Sequence, residues 1–286
     1  MKKLIIKIIA IVIVIISCYM CVNCHIASKL YEAIEKNDIY AFERYLESPL
    51  LQLSINITPW GLASDSVDVK PQFLLHCAAY ESQPEMMSSL IENGADVNRR
   101  DKYSCTALHY ILRTMDNNDY ICAKILFDNG FTISENNGEE YSYTASLQRP
   151  YYDDGLYDEK LSVDSLKTYK LIVSNMNNHT QEMKMEELCN AVSNNNFLIV
   201  KYMLDNYNEI NINERITENG WTIVGCLNIG DCDDQTIKIA ELLIEKGADP
   251  HIENDAGETI LDEIKGEPFS EELVMLKSVL SSNISK

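Results

Sequence analysis

Residues Phe73–Asp101 read FLLHCAAYESQPEMMSSLIENGADVNRRD, two apolar segments followed by a glycine. The opening Leu-Leu-His-Cys-Ala-Ala at 74–79 recurs in shorter form as Thr-Ala-Leu-His-Tyr at 106–110, and the two histidines are 33 positions apart (109 − 76). The closing Gly-Ala-Asp at 94–96 returns at 247–249. A motif that returns at a fixed period indicates an internal repeat, which predicts one elongated domain.

The second half of each candidate repeat has apolar residues three and four positions apart, so they share one helical face. They are Met87, Leu90 and Ile91 before Gly94, Ala123, Leu126 and Phe127 before Gly130, and Ala240, Leu243 and Ile244 before Gly247. Each glycine suits a left-handed helix C-cap. One such hairpin is too thin to bury its own apolar face, so neighbouring repeats must cover it.

This pattern resembles the ankyrin repeat, a loop and two antiparallel helices with a Thr-Pro-Leu-His-x-Ala opening near a period of about 33 residues. The resemblance implies an all-α solenoid of stacked helix-turn-helix repeats, about six to seven in number with some degenerate. The predicted repeat domain is 28–286, with insertions near 49–70 and 134–164.

The resemblance also implies roles for the histidines of the repeated opening. In the family, the threonine and histidine of this motif bond backbone within and between repeats, so Thr106, His76 and His109 are expected to be structural. The two histidines are a full repeat apart, and no Cys, Asp or Glu is spaced to complete a metal site. The aspartates at 231, 233 and 234 lack the spacing of a calcium-binding loop. We expect no metal and no cofactor.

Partner-binding residues follow from positions that the family leaves exposed on loop tips and the concave face. They are Lys102, Tyr103 and Arg113 in one repeat and Glu218, Asn219 and Trp221 in another. Trp221 is the strongest candidate, because an exposed aromatic residue can supply much of a binding energy. The alternative is that Trp221 packs against the adjacent loop. The tyrosine-rich acidic insertion at 134–164 is a further candidate, or else a partly disordered segment.

Charge limits the class of partner. The chain has 24 Lys and Arg against 44 Asp and Glu, a net charge of −20. A surface this acidic repels phosphate backbones, which disfavours general nucleic-acid binding. It leaves a basic protein partner, or simple solubility, as the interpretation.

The N-terminus has a short basic start, an apolar run at 8–16 and a small residue, which is typical of a signal peptide over 1–17. Ile15-Ile16-Ser17-Cys18 resembles the bacterial lipobox, which implies that Cys18 is lipid-modified and that 18–27 form a tether. The alternative is an uncleaved membrane anchor over Leu4–Val22. Either places the repeats at a cell membrane or envelope, outside the cytosol.

The nine cysteines do not form an evident disulfide framework, and those at 77, 122 and 189 suit small buried positions in helices. Cys21, Cys24 and His25 match the spacing of a c-type haem attachment site, but acylated or idle tether cysteines fit their position beside the apolar run better.

No cluster supplies a nucleophile, a base and an orienting group, so the sequence predicts no enzyme. The predicted function is a non-catalytic protein-protein interaction module tethered to a bacterial envelope. The alternatives are a secreted effector that binds a foreign protein, and a haem-bearing electron carrier.

Overall fold

A computed structural model describes residues 2–48, 55–56, 71–114, 118–133, 159–176, 179–266 and 270–282. The chain divides into two compact units, Met1–Ser134 and Glu135–Lys286. The described residues are helical and contain no β-strand, which confirms the predicted all-α class.

The described residues of the first unit form three helical hairpins. The helices are α1 (Lys2–Glu35), α2 (Ile39–Leu46), α3 (Leu74–Tyr80), α4 (Pro84–Glu92), α5 (Ala107–Thr114) and α6 (Asp119–Asp128). The first helices α1, α3 and α5 contact one another in sequence, and the second helices α4 and α6 also pack together. This is the stacking that the repeated apolar faces predict.

The second unit repeats the arrangement with α7 (Glu159–Ser174), α8 (Gln181–Ser193), α9 (Phe197–Asn206), a 3-10 turn (Ile223–Cys226), α10 (Asp234–Glu245), α11 (Ile260–Gly266) and α12 (Glu271–Ser281). Helix α9 contacts α7, α8 and α10, and α10 contacts α12. One first helix is thus reduced to a single 3-10 turn, which packs on α8.

The predicted inward faces form the core. In α4, α6 and α10 the first two members of each predicted trio are buried, and the third is half-buried at the rim. Gly94, Gly130 and Gly247 follow these helices with φ values of 93°, 86° and 92°. That left-handed conformation is strained for residues with a side chain, so glycine ends the helix where the loop turns.

Helix α1 runs without a break through the predicted boundaries at residues 17 and 27. Asn23, Cys24, Ile26 and Ala27 are buried, so the packed part of the chain begins before Ser28, inside the segment interpreted as a tether. Within the described residues, no helix combines the length and apolar character that crossing a membrane requires.

Two residues inside the predicted first insertion belong to the first repeat. Ile55 is buried, and Asn56 lies in the closing loop of this repeat, where it bonds the backbone of the next repeat. No glycine marks the start of this loop, so the sequence pattern alone assigns it to the insertion near 49–70. Residues 57–70 and 134–158 lie outside the described part, and α7 begins at Glu159, before the predicted end of the second insertion.

Candidate protein-binding surface

An asparagine bridge fixes the closing loops at Asn56, Asn98 and Asn213 to the next repeat. Asn98 Nδ2 donates to Gly130 O at 3.1 Å, and Thr132 N–H donates to Asn98 Oδ1 at 2.9 Å. Asn56 makes the same pair of bonds to Gly94 O and Asp96 N, and Asn213 makes it to Gly247 O and Asp249 N. Because one amide satisfies a donor and an acceptor of the next loop, the loops are held in register.

The threonine and histidine of the repeated opening lie at the start of the first helices. His109 Nδ1 accepts hydrogen bonds from Thr106 N–H and Thr106 Oγ1–H, both at 3.0 Å. In the last repeat Asp262 replaces the histidine and accepts the same two bonds from Thr259. These side chains stabilise the start of a helix.

His76 connects the core to a loop tip. Its Nε2–H donates to the carbonyl of Arg99 at 3.1 Å, and its ring stacks on Tyr110 with centroids 5.2 Å apart. Burial lowers the pKa of His76 from 6.5 to about 4 despite the carbonyl bond, which favours the charged form. The imidazole is therefore neutral near pH 7 and serves as a buried donor.

Asp101 organises the tip after the second repeat, and the sequence analysis missed it. Its Oδ1 accepts from Tyr103 N–H at 2.8 Å and Cys105 N–H at 2.9 Å, and its Oδ2 accepts from Tyr110 Oη at 2.7 Å. Asn254 makes the equivalent backbone bonds in the second unit, to Ala256 N–H and Glu258 N–H. An Asp or Asn two and four residues before the bonded amides is a recognisable turn signal.

The predicted binding residues of the first unit lie on this tip. Lys102 and Tyr103 are exposed, and Lys102 Nζ lies 4.9 Å from the centroid of the Tyr103 ring. Arg113 belongs to α5, but its side chain lies outside the described part. The structure thus brings Lys102 and Tyr103 together and leaves Arg113 as a sequence prediction.

In the second unit, Glu218 and Asn219 are exposed, whereas Trp221 is half-buried. A Cβ atom at Gly225 would lie 2.6 Å from Trp221 Cε3, so the indole rests on Gly225. Gly225 occupies the position three residues after Thr222, where His109 stands relative to Thr106. Trp221 therefore occupies the space beside Gly225, where its own repeat lacks the histidine, and the residue stays half-buried.

A buried network joins α7 to α8. The Glu187 carboxylate accepts from Tyr169 Oη at 2.9 Å and from His179 Nε2–H at 2.8 Å. Burial, followed by the charge of Glu187, raises the pKa of Tyr169 above its ordinary value. The phenol stays protonated and donates, so this carboxylate is satisfied as part of the core.

One expectation about the cysteines was wrong. Cys189 of α8 and Cys226 of the 3-10 turn form a disulfide, with Cα atoms 5.6 Å apart. Cysteine spacing alone favours a small buried role for Cys189, because it does not show the stacking of consecutive repeats that brings the two cysteines together. Cys18, Cys21, Cys24, Cys77, Cys105, Cys122 and Cys232 form no disulfide with any described residue.

The other candidate sites have no ligand-like geometry. Cys21 and His25 are exposed on α1, whereas Cys24 points into the core. Asp233 is the N-cap of α10, where its Oδ1 accepts from Gln235 N–H at 2.9 Å and Thr236 N–H at 2.8 Å. No group of three His, Cys, Asp or Glu side chains suited to a metal ion occurs among the described residues.

Comparison with known proteins gives the same fold. Residues 75–127 match the family model for ankyrin repeats (many copies). The ankyrin repeat domain of human ASB11 superposes with a TM-score of 0.57 at 17% identity, covering 87% of this chain and 96% of that chain. The ankyrin repeat domain of Bcl-3, a member of the IκB family, gives 0.51 at 16% identity with the same coverages of 87% and 96%.

A bacterial structure agrees with these two. An ankyrin repeat domain from Acinetobacter baumannii AYE gives a TM-score of 0.50 at 17% identity, covering 72% of this chain and 95% of that chain. Identities this low establish the fold alone. The chain therefore has the all-α ankyrin-repeat fold, and residues 75–127 carry a sequence that matches the ankyrin-repeat model.

Proposed function

We propose that this chain is a non-catalytic protein-binding module that an acylated Cys18 tethers to the non-cytosolic face of a bacterial membrane. The loop tips of the second unit, which carry Glu218, Asn219 and Trp221, supply the binding surface. Binding then depends on the exposed side chains of these tips, whose backbones are already ordered by the Asn213 bridge and by Asn254.

The Cys189–Cys226 disulfide carries the compartment part of the proposal. Disulfides persist in oxidising compartments such as the periplasm and the cell surface and are rare in the cytosol, where thiols are kept reduced. A structural disulfide within the repeats therefore favours an exported chain. The basic start at Lys2, Lys3 and Lys7 before the apolar run favours the same orientation, because basic flanks remain in the cytosol.

The N-terminus supports the tether. Cys18 is exposed on α1, and the apolar residues Ile9, Ile11, Val12, Ile13 and Val14 before it are also exposed. Among the residues whose burial the structure describes, Asn23 is the first buried one. Cleavage before Cys18 removes the exposed apolar run and leaves every described residue of the packed core in place.

The binding role is tested by chemical cross-linking in native membranes, with wild type, Trp221→Ala and the double variant Glu218→Ala/Asn219→Ala. We expect one cross-linked partner in the wild type and loss of most of it in both variants, with unchanged helical circular dichroism. Trp221 also packs on Gly225, so its removal could weaken binding by disturbing the fold. Glu218 and Asn219 are exposed, so the double variant tests binding without that effect. Undiminished cross-linking in both variants would move the binding surface elsewhere.

A further inference from the structure

We infer that the tip formed by Arg99, Arg100, Lys102 and Tyr103, called the basic tip, lies against the anionic headgroups of the membrane that holds the chain. This inference rests on the membrane attachment proposed above and adds an orientation to it. It also reverses a charge expectation, since the net charge of −20 points to basic partners while this surface is locally basic.

The cations of the basic tip are uncompensated. Ion pairs engage lysines throughout the described chain, including Lys29 with Glu32, Lys124 with Asp128 and Lys246 with Asp205. Within the described residues, no carboxylate oxygen lies within 4.0 Å of the charged nitrogens of Arg99, Arg100 or Lys102. Three such cations in four positions are unusual in a chain this acidic.

The tip is also rigid, so its charges have a fixed position. The Arg99 guanidinium lies 4.9 Å from the centroid of the Phe73 ring, and the backbone carbonyl of Arg99 accepts a hydrogen bond from His76. Arg100 donates to Ser104 O at 2.9 Å. The neighbouring carboxylate of Asp101 is buried and turned inward onto its three hydrogen bonds, which leaves the outer surface of the tip positive.

Helix α1 projects from the same end of the first unit as the basic tip. Helix α1 packs against α3, where Tyr31 lies beside Cys77 and the charge of Glu35 contributes to the raised pKa of Glu81. Both pairs are 46 positions apart (77 − 31 and 81 − 35), so the two helices run parallel. Helix α3 begins at Leu74, which corresponds to residue 28 of α1 (74 − 46), and the tip lies beside this start because Lys102 N–H donates to Gln72 Oε1 at 3.2 Å. Helix α1 therefore continues past the start of α3, and its part before the buried Asn23 extends beyond the tip end.

The distance from the anchor is short. Ten residues of continuous helix separate Cys18 from residue 28, which is roughly 15 Å at 1.5 Å per residue. That distance is less than two screening lengths, each roughly 8 Å at physiological salt. No flexible linker lets the unit turn away, because the described helix is unbroken.

Electrostatics then selects one orientation. Anionic lipid repels a chain of net charge −20, except where a positive surface faces the membrane. The basic tip supplies that surface beside the anchor. Tyr103, which is 47% exposed, adds an aromatic side chain of the kind enriched at the membrane interface.

The test is hydrogen exchange of the full chain, purified with its native N-terminus and placed in nanodiscs of zwitterionic lipid or of mixed zwitterionic and anionic lipid. We expect exchange of the peptide over 99–105 to slow several-fold in anionic discs only, and to recover in high salt. The corresponding tip at 250–258 of the second unit is the internal control, since it holds Glu253, Asp255 and Glu258 and no lysine or arginine.

Two variants separate charge from folding. Arg99→Gln/Arg100→Gln/Lys102→Gln should abolish the slowing, while the charge-retaining Arg99→Lys/Arg100→Lys should keep it. Failure of the wild-type chain to enter any disc overturns the tether itself. Entry with equal exchange at 99–105 in both lipids overturns only the orientation, as does slowing that appears only when an acidic peptide is added.

Discussion

Cys189 and Cys226 lie 37 positions apart in the sequence, and their disulfide joins α8 to the 3-10 turn of the next repeat. That turn replaces a full first helix, so this repeat has less helical surface to pack against its neighbour. The covalent bond holds the shortened element in the stack.

Reduction of this disulfide should destabilise the second unit. Closing a loop of this length contributes about 2–4 kcal/mol, chiefly by restricting the unfolded chain. We expect reductant to lower the unfolding temperature of the wild type. Cys189→Ala/Cys226→Ala should unfold at that lower temperature with or without reductant. Cys232→Ser is the matched control and should respond to reductant like the wild type. A wild-type transition that ignores reductant would contradict this role.

Loss of an asparagine bridge should loosen two neighbouring repeats. Asn98→Ala removes the bonds to Gly130 O and from Thr132 N–H, at about 1 kcal/mol for each. The control is Asn129→Ala, whose side chain bonds only Ile125 O within its own helix. Urea unfolding should show that the free energy of unfolding falls by about 2 kcal/mol in Asn98→Ala and by less in Asn129→Ala. Equal losses would mean that the bridge adds nothing beyond a local hydrogen bond.

A side chain at Gly225 should displace Trp221. The Cβ of Gly225→Ala would lie 2.6 Å from the indole, so the ring must move at a cost of about 1–3 kcal/mol. Gly230→Ala is the control, because nothing lies within 4 Å of its Cβ position. We expect a red shift of tryptophan emission and a lower unfolding temperature for the first variant alone. Unchanged emission would show that Trp221 does not rest on Gly225.

The buried His76 should make stability fall in mild acid. Its pKa is about 4 in the folded chain and 6.5 when exposed, so the unfolded state binds the extra proton between these values. The contribution of neutral His76 to the free energy of unfolding is complete above pH 6.5. Between pH 6.5 and 4 it decreases by about 1.4 kcal/mol per pH unit, for a total loss of about 3 kcal/mol by pH 4. His76→Gln should flatten this part of the pH profile, and the exposed His251→Gln should not. A wild-type slope retained in His76→Gln would assign the effect to carboxylates.

The sequence predicted those parts of the fold that depend on local pattern. The apolar trios and the glycines at 94, 130 and 247 require only helical periodicity and positive φ, and both are read from neighbouring residues. The disulfide and the role of Asn56 depend on which residues of consecutive repeats meet. That information comes from the stacking itself.

The candidate surface divides in the same way. Lys102, Tyr103, Glu218 and Asn219 are exposed on tips where their motif positions place them. The half-burial of Trp221 follows from Gly225 replacing a histidine, which becomes clear only once the indole is seen above it. The positive character of the tip at 99–103 was hidden by the net charge, because that sum counts the carboxylates of both units.

The central claim is that an anchored chain works outside the cytosol, and the intact mass of the native protein tests it most directly. The protein is purified from its own membranes, alkylated without reductant and measured whole. The account predicts a chain that begins at acylated Cys18 and leaves Cys189 and Cys226 unmodified by the alkylating agent. A soluble chain that starts at Met1 and is alkylated at both cysteines would contradict it.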